Sequence, residues 1–518
     1  MKSKKRPHMR GFHCAWIAFF LSFCCWFSIA AILPEIQDTL GLSDSEAWLS
    51  STCSLLPLLL LRFTILPLAE GMGPKFTMCA VLVISAIPTA LTGTIDSLGG
   101  LIIIRMCIAI AGINFSACQL WIGKMFVKEI SGVANGLAGG FGNAAGGFIQ
   151  ILIGSVLFPL FRDYVYADEE DQSDASEKSW RTVCVFPAVM AMIAAVWIWF
   201  YSDDTPHGDY RAMRKMGWIN DEKSAGQNLW AAAKNHNTWI MFIQYATTSG
   251  VEVTFLNGAA TYFKGDFNQS TEKAALIASG VGWVNLFATG IGGYVADLAY
   301  QKKGMQGRMM WQFFCIFVQG LLTMVFSQMD NLGMAIFMLI LTSTFVEFSE
   351  GSSYGFIPYI SSQCEGSVGG IAGAGSIVGA IGFGLLFYKN SDPKVAFLIM
   401  GACISASAFL TPFISIVGES SWFVEPEVGE AKFKARRWNA AITMTSPKRR
   451  RQGLVMTKMK FSNKNNVDAA GDDNMEDGGE DKCSQILEEG GNEVTKNCAS
   501  SDRHNSADRS SSISTTII

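Results

Sequence analysis

The sequence predicts an all-α membrane protein of about twelve transmembrane helices in two six-helix halves. Three observations carry this. Half of the 518 residues are hydrophobic and only 16% are charged, against about a quarter charged in an ordinary soluble domain. Apolar runs of ~20 residues, the length that spans a bilayer, recur along the chain. The runs fall into two sets of six around one polar stretch. The 51 glycines agree, because glycine is commoner in transmembrane helices than in soluble ones.

The elements follow in order. Residues 1–11 form a basic N-terminus, with five Lys/Arg within Met1–Arg10. The apolar run His13–Leu33 after it resembles a signal peptide. It is long, however, contains Trp16 and Trp26, and has no small-residue cleavage site after it, so a retained first helix is expected. Apolar segments at 12–34, 47–69, 76–95, 99–121, 131–160 and 181–201 make a first six-helix bundle over 12–201. A cytoplasmic linker over 202–237 leads to segments at 238–263, 273–299, 308–327, 331–361, 367–388 and 394–416, a second bundle over 238–416. Residues 417–518 are a cytoplasmic tail. Its acidic stretch Met475–Asp481 and Ser/Thr-rich Ser500–Thr516 leave little to build a core, so disorder is expected.

Orientation follows from Lys and Arg, which favour the cytoplasmic side. The N-terminus, the linker (Arg211, Arg214, Lys215, Lys223), the loop with Lys302, Lys303 and Arg308, and the tail start (Lys432, Lys434, Arg436, Arg437) fall on one side of a twelve-helix chain. The acidic loop Asp163–Ser179 falls on the other, as does the weak glycosylation triplet Asn268-Gln269-Ser270. Both termini are therefore expected in the cytoplasm, and the bilayer is the protein's surroundings. Most of the 13 cysteines lie in apolar runs and no CxxC pair occurs, so neither a disulfide framework nor a metal site is expected. No nucleotide loop or catalytic triad is visible, and His8, His13, His207, His236 and His504 are scattered. No enzyme activity, cofactor or nucleic-acid partner is expected.

Charges inside transmembrane runs are costly and therefore informative. Arg62 stands inside Ser54–Leu68, where a guanidinium needs an anion or a carboxylate. The plainer reading is a pair with a glutamate of another helix. Arg105 reads as structural or as part of a proton-linked network, and Lys124 as reaching the membrane interface. Glu252 and Glu350 lie in runs with small neighbours, and Glu347 is one turn before Glu350. In a proton-coupled carrier such carboxyls are candidates to hold the driving proton, although helix–helix hydrogen bonding explains each singly.

Two glycine runs, Asn135–Gly147 (NGLAGGFGNAAGG) and Gly369–Ile381 (GGIAGAGSIVGAI), fall in the fifth and eleventh segments, equivalent positions in the two halves. Gly139, Gly140, Gly142 and Gly146 in the first and Gly373 and Gly375 in the second read as a helix-packing signature. Asn143 offers an amide within the first run. The repeat extends further. Arg62 precedes Glu70 by eight residues, and Thr289 precedes Asp297 by eight, so Thr289 is the counterpart of Arg62 and Ile377 that of Asn143.

At these residues the chain resembles the nitrate/nitrite porter family of the major facilitator superfamily, nearest to its eukaryotic high-affinity nitrate transporters. Phe12-His13-Cys14-Ala15-Trp16, Cys118-Gln119-Leu120-Trp121, Asn135–Gly147, Gly250-Val251-Glu252 and Glu350-Gly351 through Ile357-Pro358 are similar to family stretches in the same order. The resemblance implies a pair of arginines on helices two and eight clamping the anion, helped by asparagines of the glycine signatures. Arg62 and Asn143 match the first-half members. The second half departs, with Thr289 where the family has arginine and Ile377 where it has asparagine. Losing one guanidinium removes a unit charge and a bidentate fork.

The expectation is a secondary transporter of nitrate or nitrite working by alternating access, coupled to protons. Arg62 binds the anion, Asn143 and Thr289 hydrogen-bond it, and Glu252 or Glu350 belongs to the proton path. The plasma membrane is the expected location, and the tail is open to regulatory partners. Two rivals are a carrier of another small anion, such as a monocarboxylate, and a non-transporting anion sensor.

Overall fold

The computed structural model describes residues 7–62, 72–126, 128–169, 171–206, 208, 216, 225–361, 364–390, 392–416, 419 and 421–422. The expectations for Glu70, for linker residues 207, 209–215 and 217–224, and for a disordered tail fall outside them. Among the described residues there is no strand, only an isolated bridge between Thr205 and Gly208.

The first half comprises α1 (His8–Leu40), α2 (Asp44–Ser54, resuming over 56–62), α3 (Pro74–Ala90), α4 (Leu98–Met125), α5 (Ala134–Val165) and α6 (Gln172–Tyr201). A short helix, Ala225–Ala233, precedes the second half. That half comprises α7 (His236–Thr247 and Ser249–Gly265), α8 (Thr271–Lys303), α9 (Met305–Phe326), α10 (Leu332–Tyr354), α11 (Gly366–Lys389) and α12 (Pro393–Phe413). Ten of these are long and apolar enough to cross a membrane; α2 and α7, interrupted at Leu55 and Thr248, are each split into shorter helices.

Local chemistry explains both interruptions. Pro57 cannot donate to the carbonyl four residues back, and α2 breaks at Leu55 just before it. In α7 the Thr248 hydroxyl donates to the Gln244 carbonyl at 2.9 Å and the Thr247 hydroxyl to the same oxygen at 3.0 Å. Such back-bonding competes with the helix ladder and bends it. The turns between helices are also written locally. Gly41 ends α1 at φ 63° and Ser43 starts α2 with a capping box, its N–H donating to the Glu46 carboxylate at 2.9 Å. Ser270, Asn331 and Asp392 cap α8, α10 and α12, each side-chain oxygen accepting a backbone N–H of the first turn.

α1 runs through the middle of the bundle and is buried continuously from Leu21 to Pro34. The outer helices α3, α6, α9 and α12 turn Ile87, Ile193, Phe200, Phe314 and Ile399 outward and exposed. A water-facing surface would hide such a belt, whereas hydrocarbon accommodates it. The two halves meet along α1–α7, α2–α11 and α5–α8. Glycine permits the closest of these approaches. A Cβ on Gly282 of α8 would lie 2.0 Å from the Gly147 nitrogen of α5, and one on Gly140 would lie 3.2 Å from the Asn285 carbonyl oxygen.

At the end of the bundle away from the N-terminus, called the far end, the halves are latched. Lys264 of α7 pairs with Glu35 at 3.0 Å and Asp38 at 2.7 Å, both on α1. Arg162 of α5 pairs with Glu272 of α8 at 2.7 Å. Thr271 donates to Glu35, and Trp48 stacks on Phe387 with ring centroids 4.4 Å apart. Among the described residues, the ion pairs that join the two halves all lie at this end.

Candidate functional site

A cavity lies between the halves. The first half supplies Phe23, Trp26 and Phe27 of α1, Arg62 of α2, Phe115 of α4 and Asn143 of α5. The second supplies Tyr245, Ser249 and Glu252 of α7, Glu350 and Tyr354 of α10, and Gly373 and Ser376 of α11. The expected residues Arg62, Asn143, Glu252 and Glu350 thus come together from four helices.

Arg62 is only 8% exposed. Its guanidinium lies 5.5 Å over the Phe115 ring, a cation–π contact. Its Nε has no hydrogen-bond partner, and no ion pair involves Arg62 among the described residues. A Cβ on Gly373 would stand 2.7 Å from Arg62 Nη1. Gly373, expected only to pack helices, is therefore the floor on which the guanidinium rests. Trp26 Nε1 is a second buried donor with no partner on the same cavity wall.

Opposite Arg62 lies a hydrogen-bonded row of second-half side chains. Ser376 donates to Ser249 at 2.8 Å across α11 and α7, and Glu350 lines the same wall. Glu252 lines the same cavity as Glu350, and Asn285 of α8 donates to Glu252 at 2.7 Å. Glu350 Oε1 remains without a partner. The spacing of Tyr245, Ser249 and Glu252, and of Glu347, Glu350 and Tyr354, is three or four residues, which sets each trio on one helix face. That periodicity was available in the sequence, yet serines and tyrosines in apolar helices carry no signal without the two glutamates beside them.

Thr289 does not join the cavity. Its hydroxyl donates to Glu347 at 2.5 Å and lies 3.1 Å from the Asn285 carbonyl oxygen, so its place is in the carboxyl row behind the wall. The cavity lining in this conformation thus lacks Thr289, which was expected to hydrogen-bond the substrate. Ile377 is fully buried and also absent from the lining, while its neighbour Ser376 faces the cavity. Of the glycine signature, Gly142 receives Phe19, Gly146 receives Leu256 and Gly375 receives the Phe242 backbone, whereas Gly139 has only an ordinary contact with Gln119 at 3.7 Å.

The charge balance defines what this arrangement can do. Glu252, Glu347 and Glu350 are all at least 95% buried, as three carboxyls beside one guanidinium. Were all three ionised, the cluster would repel any anion approaching Arg62. Protons on the carboxyls remove that repulsion, so anion and proton occupancy are coupled by electrostatics alone.

Comparison with known proteins agrees with this architecture. A family model described as the Major Facilitator Superfamily matches residues 15–383. High affinity nitrate transporter 2.5 of Arabidopsis thaliana is 29% identical over 443 residues, covering 84% of this chain and 86% of that protein. Nitrate transporter 2.2 of Chlamydomonas reinhardtii is 27% identical, covering 88% of each. The nitrate/nitrite transporter NrtP of Picosynechococcus is 22% identical, covering 72% and 83%. Among solved structures, a bacterial homologue of the human lysosomal transporter Spinster, inward-facing and occupied, superposes with a TM-score of 0.59 at 15% identity, over 79% of this chain and 97% of that one. The nucleoside transporter NupG gives 0.54 at 13% identity, over 77% and 98%. With two helical halves meeting around a charged central cavity and a superfamily match over most of its length, the chain belongs to the Major Facilitator Superfamily.

Proposed function

We propose that this protein is a proton-driven carrier of nitrate, nitrite or both, working by alternating access. The observation that carries the reading is Arg62, a buried guanidinium without an ion-pair partner that faces a cavity between the halves. A planar oxyanion matches its fork. Asn143, on the same cavity, adds an amide donor, and Ser249, Ser376 and Tyr354 add hydroxyls. Glu252 and Glu350 hold the driving proton, and Glu347, with Thr289 bonded to it, extends that group. The relatives compared above are named for nitrate or for nitrate and nitrite. They favour those anions over a monocarboxylate and a carrier over a sensor. The bilayer in this reading is the plasma membrane, with both termini in the cytoplasm and the tail available to regulatory partners.

The test is uptake of labelled nitrate and nitrite at external pH of about 5.5 and 7.5, in a host without its own carriers. Wild type should show saturable uptake, faster at the lower pH. Arg62→Ala should lower uptake at sub-saturating nitrate about 100-fold, given the ~2–5 kcal/mol that truncating one partner of a buried charge pair costs. Equal uptake by Arg62→Ala at normal surface expression would remove Arg62 from the site. Absence of uptake by wild type would defeat the functional reading.

A further inference from the structure

Arg105 of α4 is 5% exposed. Its Nη1 donates to Ser50 Oγ and its Nη2 to Asn257 Oδ1, each at 3.1 Å. Both partners are neutral. Arg162, Arg181 and Arg308 each meet a carboxylate, whereas no carboxylate pairs with Arg105 among the described residues. Arginine keeps its proton in proteins, so this is a buried positive charge with no counter-charge, a costly arrangement. Bridging α2 to α7 does not require it, since an amide or a hydroxyl would serve.

Position gives the charge a purpose. Ser50 and Arg105 belong to the first half and Asn257 to the second, so the Arg105–Asn257 bond crosses the seam. Parting of the halves at the far end would break that bond and turn the guanidinium toward the opening. Phe115, beneath Arg62, lies ten residues further along the same helix, a rise of ~15 Å at 1.5 Å per residue. Arg105 therefore stands ahead of Arg62 on the far-end approach, too distant to share one small anion with it.

We infer that Arg105 is a second anion station, which captures a small monovalent oxyanion in the far-end-open state before it passes to Arg62, with Asn257 taking the anion's place once the halves close. This rests on the nitrate-carrier reading above.

Sidedness is the test, with the full chain in liposomes and nitrate supplied to one face at a time. Arg105→Gln keeps hydrogen-bonding groups and removes the charge. It should raise the half-saturating nitrate concentration about tenfold or more from the far-end face, as loss of a charge pair predicts, and change it less than about twofold from the termini face. Arg105→Lys should recover most of the loss. A side chain with only a structural duty would alter both faces alike; that outcome, or no change at either face, overturns the inference. Should Arg105→Gln fail to fold, Asn257→Asp supplies an internal carboxylate to the guanidinium. It should weaken nitrate from the far-end face selectively, which Asn257→Ser should not, and equal behaviour of the two variants also overturns it. Wild type that moves neither nitrate nor nitrite defeats the functional reading and this inference with it. Wild-type transport with face-independent Arg105→Gln kinetics defeats the inference alone.

Discussion

A methyl group at Gly373 would stand 2.7 Å from Arg62 Nη1, the free tip of a long side chain. The tip can move where backbone cannot, so Gly373→Ala should fold normally and shift the guanidinium off its place. Its expected signature is a several-fold higher half-saturating nitrate concentration with an unchanged melting temperature, read from uptake and thermal unfolding together. The same contact marks the limit of what residues reveal before folding. Arg62, Glu252 and Glu350 were legible because a charge in an apolar run is anomalous wherever it sits. Gly373 was legible only as a packing glycine, since the arginine it supports comes from the other half of the chain. The bond from Thr289 to Glu347 was not legible, because counting along a repeat aligns positions and does not say which side chain a neighbouring helix offers. Glu347 claims its hydroxyl.

Helices carry the second lesson. Their order and approximate extents followed from apolar length, whereas the far-end caps at Ser43, Ser270, Asn331 and Asp392 came only with the structure. The interruption of α7 did not, because Thr247 and Thr248 read as ordinary apolar-helix residues until their hydroxyls are seen on the Gln244 carbonyl. Packing of α11 on α7 is equally strict. A Cβ on Gly379 would lie 1.8 Å from the Ala246 carbonyl oxygen, which is backbone and cannot rotate away. Gly379→Ala should therefore destabilise the fold by about 1–3 kcal/mol or more, as overpacking does. Gly139→Ala, with only an ordinary contact at 3.7 Å, should leave the melting temperature within error. Comparable losses from the two substitutions would contradict this account of the glycine runs.

The bundle is latched at its far end by ion pairs. Lys264 reaches Glu35 and Asp38 across the seam, its side chain 25% exposed. Partly exposed pairs contribute up to ~1 kcal/mol, which amounts to a population shift of about fivefold. Lys264→Gln should accordingly add a longer component to the distance between spin labels at Leu42 and Gln269, in a background without exposed cysteines. An unchanged distribution would mean that the latch is held elsewhere. Acid should act at the same end. Burial pushes the Asp266 carboxyl up, nearby Asp44 and Asp392 push it further, and Lys394 opposes them. A carboxyl raised on folding favours the folded state below its unfolded value and loses that contribution as pH rises through its folded value. Asp266→Asn should thus raise the melting temperature at about pH 7.5 and leave it unaltered near pH 3.5, below the ordinary aspartate value of ~3.9.

Arg62 belongs to one half and rests on Gly373 of the other. On the proposed reading, an anion bound there would touch both halves at once and work as a fastener: each half alone has an incomplete socket, and the joint would be tightest when the socket is filled. By mass action the filled joint gains RT ln(1 + [L]/Kd), about 2.7 kcal/mol at a hundredfold excess over Kd. The cargo of such a carrier is for part of each cycle a structural component of it, and the mechanical firmness of the protein tracks how much anion its surroundings contain.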